Sequence, residues 1–171
     1  MTRRHTDPVT FLKNLITRRG KSELYGVFLT GVTIQAEANE EYSYDISQEK
    51  VSQLVKKTLT AGDSAEWNRL LVDLRMNGLS LSYPITFKRQ SEPVTVFFVV
   101  EGTELQSLVF LPMLNVSEFP EEVLYHQRLL REVASFAGKT PTSMRFTIGA
   151  ATMDWDDLVD QGCAREVDVG Y

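Results

Sequence analysis

Cysteine is almost missing from this chain. Cys163 stands alone among 171 residues, so no internal disulfide framework can form, and with only His5 and His126 beside it the common Cys/His zinc patterns are excluded too. Basic charge is also short. Eighteen Lys and Arg against 23 Asp and Glu leave a formal net charge of −5 and a pI near 5.1, which removes the electrostatic basis for general nucleic-acid binding. Long apolar runs are absent: VTVFFVV at 94–100 falls far below the ~20 residues of a membrane-spanning helix. The opening MTRRHTDP turns polar and meets proline before any stretch of signal-peptide length. No nucleophile elbow, phosphate loop or dinucleotide fingerprint occurs, and GVFLTG at 26–31 lacks the Lys-Ser/Thr that a phosphate loop requires. These absences predict a cytoplasmic protein that makes no use of a membrane and carries no cofactor or resident metal.

What the chain does contain is ordinary globular material. With 43% hydrophobic and 24% charged residues, no repeats and no low-complexity linker, it reads as a single domain over 1–171. Asp7-Pro8 opens a helix over 8–19, with Phe11, Leu12, Leu15 and Ile16 on one face and Arg18 and Arg19 before Gly20. The stretch from Leu24 to Ala38 is β-rich, with Val32, Ile34 and Ala36 alternating against Thr33, Gln35 and Glu37. Gly26 and Gly31 mark bends within it.

Ser47 caps a second helix striped with Val51, Leu54, Val55 and Leu59, and Ser64 caps a third with Trp67, Leu70, Leu71 and Leu74 inside. Three strands follow, Leu79 to Phe87, Val94 to Val100 and Leu105 to Leu114. The last two are near-continuously apolar and predict cover on both faces, by helices on one and by another sheet or a second subunit on the other. A central helix runs from Pro120 to Ala137 with Gly138 as its stop, and a strand from Ser143 to Thr152 leads into an acidic segment that begins a last short helix.

Few residues carry candidate chemistry. Asp154, Asp156, Asp157 and Asp160 fit no EF-hand spacing and read as carboxylates at a helix start. His126, mid-helix, reads as a surface or partly buried hydrogen-bonding group, and Cys163 has no neighbouring base to lower its pKa. Arg18, Arg19 and Lys21 at a helix-to-Gly turn can either offset the helix C-terminus or hold a phosphate through the guanidinium fork.

Several short segments, in order along the chain, resemble the thymidylate synthase and deoxycytidylate hydroxymethylase superfamily. EPVTVFF at 92–98 is similar to the family's Ala-Pro-Cys-His-Ala-Phe-Phe, and FPEEVLY at 119–125 to its Leu-Pro-Phe-Asn before a long helix. IGAATMDW at 148–155 is similar to its Gly-Gly-Asp-x-His-x-Tyr, and Arg19-Gly20 to its phosphate-binding Arg-Thr-Gly turn. The resemblance implies an α+β fold, a mixed sheet packed on one face by helices, with the other face a homodimer interface. It also implies lost catalysis. Val94 stands where the family has its nucleophilic cysteine, and an alkyl side chain cannot add to the pyrimidine ring. Thr95 replaces a histidine, Leu111 or Pro112 the phosphate-binding arginine, Glu122 the pyrimidine-reading asparagine, and Met153 and Trp155 the ribose-binding pair. The arginine pair donated across the dimer is absent from 79–85, and a folate-covering block is missing around Gly62 to Ser64. The expectation is a non-catalytic protein that binds or regulates a protein partner. The alternative is a binder of a pyrimidine nucleotide or other small ligand through Arg19, Glu122 and Trp155. A third reading is an enzyme using Glu122 with His126 in acid/base work, although a pair one helical turn apart is also an ordinary surface feature.

Overall fold

The computed structural model describes residues 7–19, 27–60, 64–76, 79–82, 84–89 and 92–152. Helix α1 is Pro8–Arg19, β1 Val27–Glu37, α2 Gln48–Thr60, α3 Ser64–Met76, β2 Leu79–Leu81, β3 Ile85–Arg89, β4 Glu92–Glu101, β5 Glu104–Asn115, α4 Phe119–Ala137 and β6 Thr140–Thr152. The six strands form one sheet ordered β1-β6-β5-β4-β2, with β3 also paired to β4, so β2 and β3 share one edge. All pairs are antiparallel except β5 with β6. A parallel pair needs a long crossover, and α4, entered through a turn of 3-10 helix at Val116–Glu118, provides it.

Local chemistry sets these boundaries. Asp7 caps α1, its Oδ2 accepting from the Thr10 amide at 3.0 Å, and Ser47 Oγ accepts from the Lys50 amide at the start of α2. Pro120 lies in the first turn of α4, and Gly138 at its end takes φ +67°, where a residue with a Cβ is strained. Gly149 on β6 serves a different need: a Cβ there would lie 2.6 Å from the Pro112 carbonyl oxygen of β5.

The expected strand from Leu79 to Phe87 is two strands. Pro84 cannot donate to a ladder, and Ser82 replaces regular pairing there: its amide donates to the Phe98 carbonyl at 2.9 Å while its Oγ accepts from the Phe98 amide at 2.7 Å. The last strand begins earlier than expected, at Thr140, because it pairs with β5 over nearly its whole length. Of the residues placed by spacing on the inner face of α1, Leu12 and Ile16 are buried, whereas Phe11 is 41% exposed and Val9 is buried in its stead. The acidic segment after Thr152, including Met153, Trp155 and Cys163, lies outside the described residues, as do His5, Gly20, Lys21, Gly26 and the side chains of Arg18 and Arg19.

Helix α4 packs on β5 and β6 with α2 and α3 against it, and α1 packs on β1. On β4 the inward set is Val94, Val96, Phe98 and Val100; on β5 it includes Leu105 and Val109, and on β6 Met144, Phe146 and Ile148, all buried. The chain itself therefore covers one face of the sheet, and cover on the second face is not provided by the described residues.

Candidate functional site

The buried charged and titratable residues Arg89, Glu122 and His126 gather where β3 meets the first two turns of α4. Alternation along β3 turns Ile85, Phe87 and Arg89 toward the helices, and the helical period places Glu122 and His126 one turn apart on the face that meets them. Arg89, Glu122 and His126 are buried to 7%, 4% and 1% exposure. The Arg89 guanidinium donates to Glu122 Oε1 at 2.8 Å and lies over the Tyr125 ring, 3.9 Å from its centroid. His126 Nε2 stands 3.3 Å from Glu122 Oε2, but off the line of a hydrogen bond, so both of these atoms and His126 Nδ1 lack a hydrogen-bond partner among the described residues. Aromatic rings enclose the imidazole: Tyr125 and Phe146 meet it edge-on at 4.9 and 5.6 Å, and Phe87 lies at 6.5 Å.

The charges follow from this packing. Burial works to raise the Glu122 carboxyl, yet His126 and the Arg89 guanidinium more than reverse it, holding it below the usual carboxylate range. Burial pushes the His126 imidazole down, and Glu122 only partly opposes this. The cluster at neutral pH is thus an Arg⁺–Glu⁻ pair beside a neutral imidazole. Burial raises the Tyr125 hydroxyl to about 12, and that hydroxyl hydrogen-bonds Thr58 of α2. Glu118 is raised by burial and then by the carboxylates of Glu122 and Glu121.

The surface pair expected for Glu122 and His126 is instead interior. Val94, Leu111, Pro112 and Glu122 line one cavity together with Arg89, Glu92 and Glu118. That cavity measures about 20 Å³, room for about one water molecule and far below the ~300–1,000 Å³ of small-molecule sites. Of the three residues expected to hold a ligand, Glu122 is taken up by the ion pair, while the Arg19 side chain and Trp155 lie outside the described residues. Among the described residues no three metal-ligating side chains cluster, and no helix is long and apolar enough to cross a membrane.

Arg89 is the residue that sequence reasoning missed, although its phase with Ile85 and Phe87 carried the signal. Gln127 was missed as well. Its Nε2 donates to the carbonyls of Glu37, Ala38 and Glu40 at 3.0, 3.2 and 2.7 Å, and Arg131 Nε donates to the Ala38 carbonyl at 2.8 Å. Together they fasten the end of β1 to α4.

The uncovered face of the sheet has a different make-up. The strand registers set Phe97 beside Leu108, Val99 beside Gln106 and Leu81, and Thr95 beside Phe110 and Thr86. Phe97 and Phe110 meet edge-on, 5.8 Å between centroids. Phe110 is 38% exposed and Leu81 60%. Toward β6 and β1 the same rows become polar, running from Leu108 to Arg145 to Gln35 and from Phe110 to Thr147 to Thr33.

Compared with known proteins, the sequence matches no protein-family model and no curated protein. The thymidylate-synthase resemblance therefore rests on the residues quoted for it.

Proposed function

We propose that this protein acts by binding rather than by catalysis, and that the uncovered sheet face is its working surface, pairing with a second copy of the chain. The observation that carries this reading is the apolar patch of half-buried Phe97, Val99 and Leu108 beside exposed Phe110, on a face that no helix among the described residues covers. Contiguous exposed apolar surface on a folded domain is characteristic of an interface. A two-fold contact requires a self-complementary surface, and this face has both an apolar half and a polar half with Arg145 and Gln35 in register. The groups best suited to acid/base work, Glu122 and His126, are committed to the core, which favours binding over chemistry. The reading also agrees with the architecture implied by the thymidylate-synthase resemblance, a scaffold that dimerises sheet to sheet with Val94 in place of the nucleophile. Binding or regulation of a different protein would then fall to the surfaces the dimer leaves free.

Replacing Phe110 with Asp tests the proposal. Phe110 is partly exposed, so the monomer tolerates the carboxylate, whereas burial against a partner without a counter-charge costs several kcal/mol. The variant is expected to lose self-association while keeping its circular dichroism spectrum. Unchanged association would remove this face from the account.

A further inference from the structure

Helices α2, α3 and α4 diverge to leave a groove of about 590 Å³ on the helical side of the molecule. Its volume falls within the ~300–1,000 Å³ range of small-molecule sites, nearly thirty times the cavity beside Glu122. Val55 and Leu59 of α2 and Trp67 and Leu71 of α3 form its floor, and Phe136 of α4, 53% exposed, stands at one end. An apolar guest can be desolvated here without disturbing the sheet.

The rim is charged and unbalanced. Arg128 Nε donates to Glu132 Oε1 at 3.0 Å, so these two largely cancel. Lys50, elsewhere on α2, pairs with Glu121 at 3.3 Å. Lys56 lines the groove and makes no ion pair among the described residues. Ser52, one turn before it, and the second arm of Arg128, 3.5 Å from Ser52 Oγ, add further donors to the lining of the same groove. Apolar floor and uncompensated cation lie side by side, which is the complement of an amphipathic anion.

We propose that this groove binds a small amphipathic organic acid, its hydrocarbon portion on Trp67, Leu59 and Leu71 and its carboxylate at Lys56. The site is separate from the sheet face and does not depend on the dimer.

Calorimetric titration with decanoate, kept below its micelle concentration, tests the assignment, with decanol and decyltrimethylammonium as neutral and cationic counterparts. Decanoate is expected to bind about tenfold or more tightly than either, since a charge-assisted contact contributes about 1.5 kcal/mol or more. Lys56→Met, which keeps the apolar stem at an exposed position, is expected to erase that preference; Phe136→Asp is expected to weaken all three, and Phe110→Asp to change none. No binding of decanoate, equal binding of the three probes, or a preference that survives Lys56→Met would overturn the assignment. A change of solution mass in Lys56→Met or Phe136→Asp would overturn it too, because the groove would then hold a second copy.

Discussion

The two faces of the sheet are built from the same strands, and adjacent residues on them have opposite fates. On β4, Phe98 points to the helices and is fully buried, while Phe97, its neighbour in sequence, points to the uncovered face. Where the helices meet the sheet the apolar residues interlock, and the buried ion pair of Arg89 with Glu122 joins β3 to α4. The uncovered side leaves an aromatic pair and a threonine-bordered patch that the fold does not consume. On the proposed reading, polarity and burial mislead as markers of function. The most chemically suggestive cluster, with a histidine, a glutamate and an arginine, lies in the core, and the plain apolar strand residues are the ones available to a partner.

Substitutions can break this comparison in order of effect. Phe98→Ala is expected to destabilise the fold by about 3–5 kcal/mol, whereas Phe97→Ala is expected to cost the monomer about 1 kcal/mol and to weaken association instead. Chemical denaturation read beside solution mass separates the two. Arg89→Ala is also expected to cost about 3–5 kcal/mol, because it strands the buried Glu122 carboxylate; Arg89→Met combined with Glu122→Leu should return to within about 1 kcal/mol of the parent if the pair is structural. A double variant as unstable as the single one would show that the charges have another task.

The smallest effect is in pH. The folded imidazole of His126 titrates below its ordinary value, so beneath pH ~6.5 the unfolded chain takes up a proton that the folded chain refuses, and stability falls by up to about 1.4 kcal/mol per pH unit until the folded value is reached. Glu122 is likewise depressed; its contribution is present above the ordinary carboxylate range near ~4.3 and is lost as pH falls through the folded value. His126→Leu should flatten the upper part of this profile and leave the lower part. Unfolding measured from pH 7 down to about pH 2 checks both.

Much of the fold was legible in the sequence because its signals are local. Asp7-Pro8, Ser47 and Gly138 fix helix ends through caps, and the alternation of Val32, Ile34 and Ala36 orients β1 correctly. The break at Pro84 was missed because Ser82 repairs it through a partner strand, a contact with no mark in the local pattern. The core ion pair was half visible. Glu122 and His126 share a helix face at fixed spacing, but Arg89 is thirty-three positions from Glu122 and reaches it only through the placement of β3 on β4. The 590 Å³ groove left no signal at all, since Val55, Leu59, Trp67 and Leu71 read equally well as core stripes.

Sedimentation equilibrium of the unmodified protein across micromolar concentrations tests the central claim most directly. A chain of 19.4 kDa that pairs through Phe97, Val99, Leu108 and Phe110 should sediment at twice that mass and dissociate on dilution; a single 19.4 kDa species at every concentration would contradict the account.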